Sequence, residues 1–181
     1  MKNPLSKKIL FLKIKNQDPD AYSQFYDLYI TRIYRFIYFK VNSVNDAQDL
    51  TSEVFLRLWQ HIKESREIKN MNAYVYMMAR NCVIDFYRER TRDRELSLES
   101  DQVLEIPDEQ RDILAQQMKN SDLESILTGL SNLKDEYKEI LVLRFLDELS
   151  ITEIADVLGK SKGAVRVLLH RATKTLQNNI K

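Results

Sequence analysis

A single cysteine, Cys82, excludes an internal disulfide framework and fits a reducing compartment. Only two histidines are present, His61 and His170, and neither stands at metal-ligand spacing from the cysteine, so no metal and no cofactor is expected. Glycine and proline are equally scarce, at three each, while 44% of residues are hydrophobic; that balance suits a soluble, mostly helical chain. Long apolar runs are missing as well. The stretch "KKILFLKIKN" near the start is broken by Lys13 and Lys15, too short for a signal peptide or a membrane span. The chain is therefore expected in the cytoplasm, with no direct membrane insertion.

What is present is segregated charge. The formal net charge of +1 hides six acids against one base between Ser97 and Ile113: Glu99, Asp101, Glu105, Asp108, Glu109 and Asp112, with Arg111. After Asp156 the sign reverses, with Lys160, Lys162, Arg166, Arg171, Lys174 and Lys181 and no acid. Such asymmetry points to a local basic footprint for nucleic acid beside an acidic segment with another task.

Helical periodicity covers nearly everything before residue 95. A first amphipathic helix over residues 4–16 turns Leu5, Ile9 and Leu12 inward, with Phe11 at the edge of that face. Asp18 then caps a second helix with Pro19 at its first position. Residues 22–39 hold eight of the seventeen aromatics, and Phe25, Leu28, Tyr29, Arg32, Ile33, Phe36 and Ile37 share a face that reads as core. Asn45, with Gln48 three residues on, marks the next helix start. Ala47, Leu50, Val54 and Leu58 line its inner face, and Asp46, Asp49, Glu53 and Arg57 fall on another at pairing distance. "KESREIKNMN" reads as a loop of roughly ten residues, after which a helix resumes and ends in alternating charge. Trp59, Phe86 and Cys82 are expected in the core.

From Ser97 the pattern fades into a linker containing Pro107. A second unit starts with a capping box at Ser121 and Glu124, followed by a helix over residues 133–146. Ser150 and Glu153 form another box, with Ile151, Ile154, Ala155 and Leu158 facing inward. Gly159 sits where a left-handed cap needs glycine, and Ser161 caps a last helix in which Ala164, Val165, Leu168 and Leu169 pack. Lys162, Arg166, Val167, His170 and Arg171 are left outside. A small residue in the first helix, a glycine turn and a basic second helix make a helix-turn-helix. Arg166 and Arg171 can bridge guanine, Lys162 and Lys174 can hold phosphates, Val167 can touch a thymine methyl, and His170 serves as a DNA contact. The fold class is all-α: two small helical domains, over residues 1–95 and 121–181, joined by an acidic linker over 96–120.

Two segments, "NDAQDLTSEVFLRLWQ" (45–60) and "NAYVYMMARNCVIDFYRER" (72–90), resemble the second domain of bacterial sigma factors. "LKDEYKEILVLRFLDELSITEIADVLGKSKGAVRVLLHRATKTL" (133–176) resembles their fourth. The order, the spacing and the short acidic tether are similar to the extracytoplasmic-function (ECF) group, which lacks the third domain. The resemblance implies a non-enzymatic factor that binds core RNA polymerase through Asp49, Glu53 and Leu56, supported by Asp46, Leu50 and Arg57. It implies that Asn70, Asn72, Tyr74, Arg80, Asn81, Arg88 and Arg90 handle the non-template strand of the -10 element. Aromatic faces, polar edges and cations are what unstacked bases require. The C-terminal helices would dock on the -35 element of promoter DNA, the acidic linker would thread the RNA exit path, and an anti-sigma factor would hold the protein inactive. Some positions depart from the family pattern: Val167 and Leu168 replace Ser and Arg, Thr173 replaces Arg, Glu148 replaces Gly, and Lys134 replaces Pro.

Two other classes compete. A stand-alone helix-turn-helix regulator would use the N-terminal half to sense a ligand or dimerise, but neither a strand–helix alternation nor a leucine heptad is present. A recombinase would need a nucleophile in a basic cluster, for which Tyr87 beside Arg88 and Arg90 is the one candidate.

Overall fold

The structure, a computed structural model, describes residues 4–96 and 133–179, with backbone alone for residues 4–7 and 93–96. The described residues hold seven α-helices and no strand. The linker expected over 96–120 and the helix start at Ser121 and Glu124 lie outside them, apart from Leu96, which ends a helix.

Helix α1 (Pro4–Lys15) is rotated from the expected face. Ile9 and Leu12 are exposed by 50% and 62%, and Ile14 is buried with Leu10 and Phe11 packed beside it. The spacing 10, 11, 14 is as helical as 5, 9, 12, and the Phe11 ring decides between them by meeting Phe25 edge-on at 6.1 Å. The Leu5 side chain is outside the described ones.

Helix α2 (Pro19–Val41) begins as its sequence dictates: the Asp18 carboxylate accepts from the backbone N–H groups of Asp20 and Ala21, both at 3.0 Å. Phe25, Tyr29, Ile33, Phe36 and Ile37 form its buried stripe. Asn42 ends it in the left-handed conformation, a role asparagine tolerates. Helix α3 (Val44–Lys63) starts two residues earlier than expected. Ser43, with extended backbone, accepts from the Asp46 N–H at 3.3 Å, so Asn45 already lies within the helix and caps nothing. Its inner face, Ala47, Leu50, Val54 and Leu58, is buried as expected.

The following loop is shorter than ten residues, covering only 64–70, because Asn70 accepts from the Ala73 N–H at 3.2 Å and starts α4 (Met71–Leu96) early. Trp59 and Phe86 sit at the margin of the core rather than inside it, Trp59 against Tyr22 at 4.7 Å and Phe86 beneath the Arg90 guanidinium at 5.0 Å. Cys82 is buried, and burial pushes its thiol up to about 11, so it behaves as a small hydrophobe.

The helix expected over 133–146 is split. Helix α5 (Asp135–Leu141) passes into a π-helical turn, Val142–Leu146, closed by the Asp147 N–H on the Val142 carbonyl at 3.0 Å. The extra residue in that turn leaves Phe145 60% exposed while Leu143 stays buried. Helix α6 (Ile151–Leu158) carries the full capping box of Ser150 and Glu153 and ends at Gly159, φ +63°. Ser161 caps α7 (Lys162–Asn179) by accepting from Ala164 N–H at 3.2 Å. Val165 and Ala172 are fully buried; Ala164, expected to pack, is exposed, since Val165 takes the inward position beside it.

Helices α1–α4 pack together, α5–α7 pack together, and α4 lies against α6. Two left-handed turn positions in the second group invite comparison. Gly159 has open space where a Cβ would go, so Gly159→Ala is expected to cost roughly 1–2 kcal/mol through backbone strain alone. Glu148 (φ +56°) already carries that strain, so Glu148→Gly should leave stability equal or higher. Denaturant titration of both variants checks the contrast.

Candidate nucleic-acid and polymerase interfaces

The outer face of α3 is built by its inner one. With Leu50, Val54 and Leu58 turned into the core, Asp49 and Leu56 must face solvent, and Leu56 is 59% exposed. Of the residues singled out in the sequence, Leu50 is 7% exposed and thus supports this face from beneath. Glu53 and Arg57 form an ion pair along the helix, and Arg57 also lies 3.8 Å from Asp85 of α4. Both partners of the first pair are about 40% exposed, so it contributes only about 0.3–0.5 kcal/mol. Asp46 pairs with Arg90 at 3.5 Å, which joins one member of this face to the charged end of α4.

The loop 64–70 and the start of α4 bring Asn70, Asn72 and Tyr74 together, whereas Arg80, Asn81, Arg88 and Arg90 follow along α4. The Tyr74 hydroxyl bonds His61 Nδ1 at 2.8 Å. Asn81 is exposed, Arg88 faces Asp85 at 3.5 Å, and Arg90 lies over Phe86. The Tyr87 hydroxyl donates to the Lys40 carbonyl at 2.7 Å, and burial pushes its pKa above the usual phenol value despite Arg90.

On α7 the basic residues all face outward. Lys162, Arg166, His170, Arg171 and Lys174 are exposed, and Val167 is 51% exposed among them. Successive spacings of three and four residues place them on one strip of the helix, opposite the buried Val165 and Ala172.

Sequence reading missed the contacts between the two helical groups. The Arg35 guanidinium, on α2, is ion-paired with the fully buried Asp147 side chain and donates to the Leu146 carbonyl at 3.3 Å. Glu139 of α5 has its carboxylate 3.1 Å from Lys40 Nζ and 3.2 Å from Arg80 Nε. Glu153 Oε1 accepts from the Asn72 amide at 2.7 Å and from Asn70 at 3.5 Å, while its Oε2 serves the cap at Ser150. Burial alone would raise the Glu153 carboxyl, but these hydrogen bonds outweigh it and hold the group below its usual range. Asp147 goes the other way: burial raises it despite the pull of Arg35. The available signal was the capping box itself, which fixes Glu153 near the surface of α6, but no local pattern names a partner eighty residues away.

Comparison with known proteins gives two family matches in order: Sigma-70 region 2 over residues 25–93, and Sigma-70, region 4, over residues 123–176. The chain is similar to the ECF RNA polymerase sigma factor SigW of Bacillus subtilis, 27% identical over 93% of this chain and 94% of that one. The ECF RNA polymerase sigma factor ShbA of Streptomyces griseus is 30% identical over 72% of this chain and 70% of its own. BldN of Streptomyces coelicolor, also an ECF RNA polymerase sigma factor, is 32% identical over 88% of this chain, which spans 60% of BldN's length. Among solved structures, the sigma factor RpoE of Bartonella quintana, in complex with the anti-sigma factor NepR, has a similar fold: TM-score 0.66, 21% identity, 87% of this chain and 95% of that one.

His61 offers a check on the loop geometry. Burial first, and Arg66 second, hold its pKa below the ordinary 6.5. Because the folded value is the depressed one, protonation favours unfolding, and stability falls as pH drops from 6.5 through the folded value. An NMR titration of the imidazole should give a midpoint under 6.5; a midpoint at or above it would contradict the packing of His61.

Proposed function

The chain belongs to the extracytoplasmic-function sigma factors of the Sigma-70 family, and from that premise we propose how its surfaces divide the work of transcription initiation. It is an initiation factor and not an enzyme. The single observation that carries the reading is the order of the two region matches along one chain. A stand-alone regulator would leave the region 2 match without a purpose.

Core RNA polymerase is bound by the outer face of α3. Leu56 supplies an apolar anchor, Asp49 and Glu53 flank it with charge, and Asp46, Leu50 and Arg57 hold the face in shape. An exposed leucine ringed by charge is the composition of an interface anchor that excludes water when covered. The non-template strand of the -10 element is handled by Asn70, Asn72 and Tyr74 at the loop and by Arg80, Asn81, Arg88 and Arg90 along α4. The outward strip of α7 enters the major groove at the -35 element, with Arg166 and Arg171 reading base edges and Lys162 and Lys174 on phosphates. Val167 and His170 complete that strip.

The domains run over residues 1–95 and 121–181, and the acidic linker over 96–120 follows the RNA exit path. The proposed place of work is the cytoplasm, where polymerase and promoter DNA are found; among the described residues no helix is long and apolar enough to cross a membrane. An anti-sigma factor regulates the chain, a reading supported by the RpoE–NepR complex.

Co-elution with bacterial core RNA polymerase tests the central contact. Wild type should co-elute, and both Leu56→Ala and Asp49→Ala/Glu53→Ala should weaken association by roughly tenfold or more. Because Leu56 is mostly exposed, its truncation should change stability by no more than about 0.5 kcal/mol. Undiminished association in both variants would remove α3 from the interface.

A further inference from the structure

The cations and amides that cluster on the face of the N-terminal helices find their partners in the C-terminal ones. Lys40 and Arg80 converge on one carboxylate, that of Glu139, whose side chain is only 8% exposed. Arg35 meets Asp147, and Asn72 and Asn70 give their amide protons to Glu153. Each acid comes from α5, the turn after it, or α6. A carboxylate oxygen offers the same acceptor that a phosphate oxygen or a base edge offers, and it meets donors of the kind that nucleic acids use. We infer that Glu139 and Glu153 act as an intramolecular stand-in for DNA, seated on Lys40, Asn70, Asn72 and Arg80, and keep that face closed to single-stranded DNA until the two helical groups part. The inference rests on the proposed -10 role of Asn70, Asn72 and Arg80, and adds Lys40 to that surface.

The chemistry of the contact suits a latch better than a core. The Nε atoms of Arg35 and Arg80, Glu139 Oε1 and Asp147 Oδ2 hydrogen-bond to no described protein atom. Charges paired in a partly buried setting without full hydrogen bonding hold position and add little net stability. Apolar packing of α4 on α6 also spans the two groups, so the polar contact is the part of the seam that a charged ligand can replace. The charged pairs of this interface can be exchanged for those of another ligand one acceptor at a time. Glu153 adds a mechanical link: one oxygen caps α6 while the other holds the Asn72 amide, so the helix-turn-helix is locked to the loop that precedes α4.

The test compares the full chain with Glu139→Gln/Glu153→Gln. Glutamine keeps the capping box, so the double variant retains its fold. A control, Asp27→Asn/Asp156→Asn, removes the same charge from exposed positions outside the contact. Two readouts are taken. Spin labels on Ser52→Cys and Gln177→Cys, in a Cys82→Ala background, report the distance between the groups. Fluorescence anisotropy reports binding of a labelled single-stranded DNA pool of randomised sequence. The double variant should show a longer, broader distance distribution and bind the pool about tenfold more tightly than wild type and control, because the competent state is no longer the minor one. Adding Asn72→Ala/Arg80→Ala should abolish the gain. An unchanged distance distribution, or equal affinity in double variant and control, overturns the latch. A gain that survives Asn72→Ala/Arg80→Ala contradicts the -10 assignment of those residues, and with it the claim that the acids cover a DNA site.

Discussion

Burial of one side of α2 is the constraint on which the rest of the molecule depends. Phe25, Tyr29, Ile33, Phe36 and Ile37 form a continuous stripe against which α1, α3 and α4 settle. Apolar side chains of that size are each worth about 1.5–3 kcal/mol when fully buried, so the stripe fixes the rotation of its neighbours. Once α3 presents Leu50, Val54 and Leu58 to it, Leu56 has nowhere to go but outward. The polar flank of the same helix, Arg35 and Lys40, is then left facing α5 and the turn after it. One helix therefore sets both the core of the first group and the charged seam to the second.

That seam and the core obey different physics. Apolar contact within each group is gained on folding and has no competitor in water. The charged part of the seam consists of groups that a nucleic acid can replace almost one for one, carboxylate by phosphate. Exchangeable charges beside the apolar packing of α4 on α6 let one seam both hold the two groups together and give way to a ligand that supplies the same acceptors. Arg35 with Asp147 is the most buried of these pairs, and burial raises the Asp147 carboxyl despite the pull of Arg35.

Much of the fold was legible in the sequence because its signals are local. Asp18 with Pro19, the box of Ser150 and Glu153, Gly159 and Ser161 each mark a helix end where the structure has one. The inner faces of α2 and α3 follow from periodicity alone. The misses share a cause: two local solutions of similar quality, with tertiary contact choosing between them. Leu10, Phe11 and Ile14 prevail over Ile9 and Leu12 in α1 because the Phe11 ring reaches Phe25. Ser43 prevails over Asn45 as cap, Asn70 begins α4 inside the expected loop, and of Ala164 and Val165, both expected to pack, only Val165 is buried. The π-helical turn at 142–146 has no sequence signature of its own. For the site, the outward strip of α7 was readable from spacing. The partners of Asn72 and Arg80 were not, since Glu153 and Glu139 are remote in sequence and brought close only by the packing of α4 on α6.

Backbone conformation accounts for one departure from the family pattern, that at Glu148. The left-handed backbone at residue 148 explains why glycine is usual there, and the fold tolerates glutamate at the cost of local strain. The central claim, that this chain directs polymerase to promoters, is tested most directly by transcription in vitro. The full chain is mixed with bacterial core RNA polymerase and genomic DNA from the bacterium that encodes it, and the 5′ ends of the transcripts are mapped. The account predicts a small set of defined start sites that share a two-part upstream motif and are missing with core enzyme alone. Start sites identical to those of core enzyme alone would contradict it.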